Sequence, residues 1–216
     1  VMEIIIAIAM LTGVFCYYQN NKIVITNIKL KQKINNKVRI AQISDLHSKE
    51  FGKNNDILYK KIIEQKPDII VATGDLIDSS MKKLDEIIEF CSSINKDIPM
   101  YYILGNNEMR CSRVSEIVEK LKKNKICVLE NEIESIEVKG NKINILGLEE
   151  KRIDEGELFY SKVNSRYGTE NIEKIFSRLE RLDGIKIVLS HYPENFEYVE
   201  EGAYSKYNFD IILISF

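Results

Sequence analysis

The chain has 216 residues, of which 44% are hydrophobic and 30% are charged, so it has the composition of an ordinary globular protein and the length of one substantial domain or two small ones. Its formal net charge of −2 argues against a protein that mainly coats nucleic acid, and we expect no specific nucleic-acid binding. The four cysteines are scattered without CxxC spacing, which shows no sign of a disulfide framework and predicts free thiols.

The N-terminal stretch predicts a single-pass membrane anchor. Residues 4–18 contain no charge, and Phe15, Tyr17 and Tyr18 fit the aromatic belt of a membrane interface. No basic leader or small-residue cleavage site marks a signal peptide, so we predict a retained anchor over residues 1–20; a buried helix or strand is the alternative. The lysine-rich segment that follows leans toward a cytoplasmic domain without fixing the side of the membrane.

The remaining residues, 21–216, predict one α/β domain. Residues 23–31 alternate between apolar and polar side chains like a strand, and afterwards apolar runs of strand length alternate with helix-type stripes. Continuous apolar runs are typical of strands that are covered on both faces. A hairpin follows the fourth of these runs, with Gly140 and Asn141 predicted at its turn. The other predicted strands are residues 38–44, 68–74, 99–105, 126–130, 185–190 and 209–215, and the predicted helices are residues 54–65, 81–91, 114–121 and 172–182.

Polar side chains follow four of these strands at the point where each strand ends. Ligands of open α/β sheets bind at the carboxyl ends of the strands. Each residue alone has an explanation in turn chemistry, and a single histidine is more often structural than a ligand. Together the carboxylates, amides and imidazoles are ligand types of Mn²⁺, Fe or Zn²⁺, and two close carboxylates would repel each other without a cation. The residues are Asp45 and His47, Asp75, Asn106 to Glu108, and His191.

Four short motifs resemble the motif series of the calcineurin-like metallophosphoesterases. They are DLH at residues 45–47, GD at 74–75, GNNE at 105–108 and LSHYP at 189–193. Each motif alone is weak, but four in the family's order after four strands make a strong signal, and the resemblance covers the chain from about residue 38 onward. It implies an α/β fold in which a β-sandwich is flanked by helices, with four αββα layers, and a dinuclear metal centre.

The resemblance also implies a role for each matching residue. Asp45 and His47 would hold one metal ion, and Asp75 would bridge both ions. Asn106 and His191 would hold the second ion. The predicted cofactors are therefore two divalent metal ions (Mn, Fe or Zn), which would clamp a phosphate mono- or diester and activate water for attack on phosphorus.

The GNNE motif departs from the family pattern GNHE. The family histidine lies close to the phosphate as a proton donor or electrostatic helper, and Asn107 takes its position here. An amide donates a hydrogen bond but cannot deliver a proton at neutral pH, and general acid catalysis contributes roughly 10²–10⁴-fold. We therefore expect impaired catalysis, least for a leaving group that departs without a proton. Glu108 either orients a metal ligand or caps the next turn.

The end of the last predicted strand is a second departure. The family has a GHxH motif there, with one histidine for each metal, whereas residues 209–215 are followed by Phe216. The resemblance then predicts five of seven protein ligands, a fifth strand without a polar tip, and a sandwich that is incomplete at its C-terminal end with an exposed strand edge. A fragment, a truncated gene product and a decaying copy are equally compatible with this ending.

Three functional hypotheses follow. The first is a membrane-anchored, metal-dependent phosphoesterase whose activity is impaired by Asn107 and the missing histidines. The second is an inactive or fragmentary family member that at most binds metal or phosphate. The third is an interaction module at the membrane that uses the fold as a scaffold. The sequence contains no GxSxG elbow, P-loop or glycine-rich dinucleotide motif, and it leaves the substrate, metal identity and oligomeric state open.

Overall fold

The computed structural model describes residues 2–149, 163–165, 168–170, 172–192 and 206–215. Within these ranges the helices are α1 (Met2–Asn21), α2 (Asp56–Glu64), α3 (Leu84–Asn95), α4 (Asn106–Arg110), α5 (Val114–Lys123) and α6 (Ile172–Glu180), with a 3₁₀ helix at Lys53–Asn55. The strands are β1 (Ile40–Ile43), β2 (Ile69–Ala72), β3 (Met100–Tyr102), β4 (Cys127–Val128), β5 (Glu132–Val138), β6 (Asn141–Gly147), β7 (Val163–Ser165), β8 (Gly168–Glu170), β9 (Ile185–Ser190) and β10 (Ile211–Ile214).

The first sheet is parallel and has the strand order β1-β2-β3-β4. All four residues of β2 are buried, which explains why its sequence is an uninterrupted apolar run. Helices α2, α3 and α5 connect successive strands, as parallel pairing requires. Because the four strands point the same way, their carboxyl ends lie along one edge of the sheet.

The second sheet is mixed and has the order β10-β9-β6-β5. Strand β9 is parallel to β6 and β10, whereas β5 and β6 form an antiparallel hairpin. The hairpin turn is Lys139-Gly140, so the predicted turn at Gly140-Asn141 is wrong by one residue, because Asn141 already pairs with Val138 as the first residue of β6. Lys139 and Gly140 both have positive φ, 51° and 75°, as a two-residue type I′ turn requires.

Three apolar clusters divide the domain into four layers. The first lies between the parallel sheet and its helices and includes Ile87 and Leu121. The second lies between the two sheets and includes Val71 and Ile145. The third packs α6, through Phe176, on the outer face of the mixed sheet. The resulting order of helix, sheet, sheet and helix confirms the predicted four-layer fold.

The segment between α1 and β1 differs from the prediction. Residues 23–31 form no strand, and no described strand pairs with them. Alternation alone does not hold a strand, since an unpaired strand is not stable in water. Several apolar side chains of the segment are exposed, and Ile28 has 78% of its surface exposed.

Candidate metal centre

The carboxyl ends of four strands bring predicted ligands from both sheets together. One ligand atom from each of Asp45, Asp75 and His191 lies within 4.8 Å of the other two. Nε2 of His191 lies 3.6 Å from Oδ1 of Asp75 and 3.1 Å from Oδ1 of Asn106. Side chains that follow β1, β2, β3 and β9 therefore form one cluster.

The loops that carry these residues have an unusual backbone. Asp45, His47 and Asp75 have φ of 53°, 48° and 55°, in the left-handed region that non-glycine residues rarely adopt. The N–H of Asp45 donates to the carbonyl of Gly74 at 3.1 Å, and the N–H of His47 donates to the carbonyl of Asp75 at 2.9 Å. The two loops thus lie side by side, and strained residues of this kind, at about 1–3 kcal/mol each, cluster at functional sites.

Two glycines allow the loops after β2 and β3 to touch. Gly74 has φ 91°, and a Cβ at this position would lie 2.6 Å from Cα of Gly105 and 2.7 Å from Nδ1 of His191. A Cβ on Gly105 would lie 2.2 Å from Oδ1 of Asp75. Any side chain at either position would therefore separate the predicted ligands.

The hydrogen bonds of His191 determine which ring nitrogen carries the proton. Its Nδ1 lies 2.8 Å from the backbone carbonyl of Thr73, which can only accept, so Nδ1 is the donor. In the neutral ring Nε2 then presents a lone pair toward Oδ1 of Asn106 and Oδ1 of Asp75. Three electron-rich atoms face each other, an arrangement that is favourable when a positive charge lies between them.

His47 and Asn107 form the exposed side of the cluster. The side chain of His47 is 49% exposed, and its Nε2 lies 3.8 Å from Oδ1 of Asp45. The backbone N–H of Asn107 donates to Oδ1 of Asp75 at 2.8 Å, and its amide nitrogen donates to Oδ2. The same amide nitrogen lies 3.4 Å from Nδ1 of His47. Asn107 therefore connects His47 to the buried carboxylate of Asp75.

Neither Asp45 nor Asp75 has a Lys or Arg partner in the described part of the chain. No Lys or Arg nitrogen of the described residues forms an ion pair with Asp45 or Asp75, whose only ion-pair contacts there are with His47 and His191. Asp75 is 2% exposed, so water screens its charge weakly. Two carboxylates at this distance repel each other, and a bound cation would offset that repulsion.

A comparison with protein-family models identifies the family of this chain. The family model described as calcineurin-like phosphoesterase matches residues 38–214. The chain belongs to this family. The matched range contains all the predicted site residues, so the resemblance that the four motifs carried is confirmed. The family usually has a dinuclear metal site.

Curated relatives share the family but differ in coverage. YkoQ of Bacillus subtilis (strain 168), an uncharacterised metallophosphoesterase, is 26% identical in an alignment of 203 positions that covers 88% of this chain and 69% of YkoQ. An uncharacterised metallophosphoesterase of Aquifex aeolicus (strain VF5) is 34% identical over 73 residues, 33% of this chain. That match spans only 28% of the length of the Aquifex protein.

A solved structure shows the same fold. The crystal structure of TT1561 of Thermus thermophilus superposes with a TM-score of 0.58 at 17% sequence identity. The superposition covers 82% of this chain and 81% of TT1561. At this identity the likeness supports the architecture alone, and the roles of individual residues depend on the geometry of the site.

In this member of the family, the buried side chain of Glu108 connects the loop after β2 with the loop after β3. Its carboxylate accepts hydrogen bonds from the N–H groups of Gly105, Asp75 and Ile77 at 2.9–3.0 Å and from the hydroxyl of Tyr102 at 2.8 Å. Burial raises the pKa of Glu108; the bonds from Ile77 and Tyr102 oppose this rise, and the charge of Asp75 adds to it. Glu108 therefore caps the turn at Gly105 and also holds the backbone of Asp75, one of the predicted metal ligands.

Two residues that the sequence did not single out contact Asp45. Ser44 donates to Oδ2 of Asp45 at 2.6 Å, and Ser215 donates to the same oxygen. The expectation of a fifth strand without a polar tip is therefore wrong, because Ser215 directly follows β10 and is 3% exposed. The signal was its position at a strand end, where a lone serine looks like an ordinary turn residue. Pro193 of the fourth motif lies outside the described residues.

Proposed function

We propose that the chain is a metal-dependent phosphoesterase that hydrolyses a phosphate mono- or diester at a dinuclear metal centre. Family membership supports phosphoester hydrolysis as the reaction class. The observation that carries the proposal is the convergence of Asp45, Asp75 and His191 at the strand ends, with Asn106 beside them. Every one of these groups presents an oxygen or nitrogen lone pair to a common space.

The donor set fits divalent cations. Carboxylate, imidazole and amide groups suit Mn²⁺, Fe or Zn²⁺, and Nε2 of His191 lies 3.1 Å from Oδ1 of Asn106 and 3.6 Å from Oδ1 of Asp75. We assign Asp45 and His47 to one ion and Asp75 to both ions. Asn106 and His191 are assigned to the second ion.

Divalent cations in this site would supply positive charge that attracts a phosphate ester and would lower the pKa of water to near neutrality. The residues of the chain set the rest of the chemistry. Asn106 is a neutral ligand, so it leaves the centre more positive than a third carboxylate would. Asn107 can donate a hydrogen bond to a phosphate oxygen but holds no proton for the leaving group.

Turnover tests the proposal directly. The chain, purified in detergent and stripped of metal with EDTA, is assayed with p-nitrophenyl phosphate and its bis-ester before and after Mn²⁺ is added. We expect Mn²⁺-dependent release of p-nitrophenol that Asp75→Asn abolishes. Absence of turnover together with absence of bound metal in elemental analysis would contradict the proposal.

A second candidate is a family member that binds metal or phosphate without turnover. Asn107 is the observation that favours it, because the amide bonded to Asp75 has no transferable proton at neutral pH. This candidate predicts stoichiometric Mn²⁺ binding with no hydrolysis of either substrate. Asn107→His would then give measurable hydrolysis if the missing proton donor were the cause of the inactivity.

We also propose that α1 anchors the protein in a membrane. It has 20 residues, a mean hydropathy of 1.6 over its best window, and no buried residue. A signal sequence or the core helix of a soluble protein passes the same test of length and composition. Extraction of cell membranes with alkaline carbonate separates these cases: an anchored chain stays in the pellet at its full size, whereas a cleaved or soluble chain enters the supernatant.

A further inference from the structure

The carboxylate of Asp45 is held asymmetrically. Its Oδ2 accepts hydrogen bonds from the hydroxyls of Ser44 and Ser215, whose oxygens are 2.7 Å apart. Its Oδ1 accepts neither of these bonds and faces Nε2 of His47 at 3.8 Å. One oxygen is therefore occupied by two hydroxyls, while the other is directed toward the predicted ligand His47.

The two serines come from different sheets. Ser44 follows β1 of the parallel sheet, and Ser215 follows β10 of the mixed sheet. The side chain of Gln42 connects the same two strands, because its Nε2 donates to the carbonyl of Ile214 at 2.9 Å. Asp45 thus lies at a junction that depends on how the two sheets meet.

We propose that Ser44 and Ser215 are positioning residues that make Asp45 a one-oxygen ligand and thereby set the affinity of the metal site. This inference rests on the metal site proposed above. Partners that bond a ligand from behind orient it, and their loss typically weakens metal binding by about 10–100-fold. Without the hydroxyls, the 30%-exposed side chain of Asp45 is free to rotate toward water.

The test measures metal binding in the absence of substrate. Mn²⁺ is titrated calorimetrically into the detergent-solubilised full chain after EDTA treatment. The matched variants are Ser215→Val and Ser215→Thr, which have nearly the same shape but differ in the hydroxyl. We expect Ser215→Val to weaken binding about tenfold, Ser215→Thr to stay within about threefold of the wild type, and the double variant Ser44→Ala/Ser215→Val to weaken it up to about 100-fold.

Two controls separate positioning from general stability. Ser135→Ala removes a hydroxyl of β5 that bonds Asn144 at 2.7 Å, and it should leave Mn²⁺ affinity unchanged. The melting temperature of each metal-free variant reports the stability of the fold alone. A purely structural role of Ser215 would lower that melting temperature without changing the affinity of the folded protein.

The outcomes test the positioning role of the serines separately from the proposed metal site. A wild type that binds Mn²⁺ and a double variant that binds it within about twofold of the wild type would overturn the positioning role and leave the metal site intact. Equal losses in Ser215→Val and Ser215→Thr would overturn it too, because packing rather than the hydroxyl would then matter. A wild type that binds no Mn²⁺ would overturn both proposals.

Discussion

The carboxylates at the two edges of the sandwich differ in whether a basic side chain pairs with them. At the amino ends of the strands, Asp68 accepts the N–H of Arg39 at 2.8 Å and pairs with Nζ of Lys139 at 2.6 Å. At the carboxyl ends, ligand atoms of Asp45 and Asp75 lie within 4.8 Å of each other, and no described Lys or Arg pairs with them. Each edge joins the two sheets, but only at the amino ends is the carboxylate neutralised by a basic side chain, that of Lys139. We call the edge with Asp68 the compensated edge and the edge with Asp45 and Asp75 the uncompensated edge; carboxylates without a Lys or Arg partner cost stability, and such costs are typical of functional sites.

The largest effect is expected at the buried side of the uncompensated edge. His191→Ala should lower kcat/KM for p-nitrophenyl phosphate by about 10³-fold, because loss of a ligand removes several kcal/mol of charge stabilisation. His47→Ala should cost only about tenfold, since the ring of His47 is half exposed and lies outside the tight group of ligand atoms. Steady-state kinetics with saturating Mn²⁺ measures both, and equal losses would show that the two sides of the site contribute alike.

The next largest effect concerns Asn107, which has no proton to transfer to the leaving group. Asn107→His should raise kcat for phenyl phosphate by about 10²-fold, because an imidazole can protonate a poor leaving group. The gain for p-nitrophenyl phosphate should be clearly smaller, since p-nitrophenolate departs without a proton. Equal gains on the two substrates would mean that the histidine acts on the phosphate and not on the leaving group.

A smaller effect is expected on stability, from the repulsion between the two carboxylates at the carboxyl ends of the strands. Asp45→Asn should raise the free energy of unfolding of the metal-free chain by about 1 kcal/mol, because it removes the repulsion from Asp75 while its oxygen can still accept from the serines. Thermal melting in EDTA should show an increase of about 2–4 °C, together with weaker Mn²⁺ binding. A lower melting temperature would show that the carboxylates do not repel each other in the folded chain.

The smallest effect is expected at the compensated edge and depends on pH. Burial alone would raise the pKa of Asp68, but the hydrogen bonds from Lys139 and Arg39 lower it below the ordinary value of the carboxyl. The folded chain therefore binds this proton more weakly than the unfolded chain, so the stabilisation is complete above the unfolded pKa of about 3.9 and is lost as the pH falls through the lower folded pKa.

Urea unfolding of the wild type and Asp68→Asn measures this contribution. The wild type should be more stable at about pH 7, and the difference between the two should shrink as the pH falls below about 4. A difference that stays constant down to about pH 2 would mean that packing, rather than the charge of Asp68, accounts for it.

The sequence predicted which of the candidate residues lie at strand ends, because that position is encoded locally. Asp75 and His191 each follow an apolar run, and a strand end is visible without knowledge of the fold. Ser215 was missed because its value arises only from contact with Asp45, 170 positions away. The strand predicted at residues 23–31 failed for a related reason, since pairing depends on a distant partner and not on alternation. The hairpin turn was misplaced because Asn and Gly favour the same turns, and only the register identifies Lys139.

The bond between Ser215 and Asp45 has a consequence for biosynthesis. The residues that flank the first and the last described strand of the domain meet in one place, so the ribosome has released all the described strands before they can touch. A nascent chain would carry Asp45, Asp75 and even His191 without the hydroxyl that completes the arrangement. The contact between the two strand ends, and with it the fixed orientation of Asp45, can therefore form only after Ser215 has been synthesised.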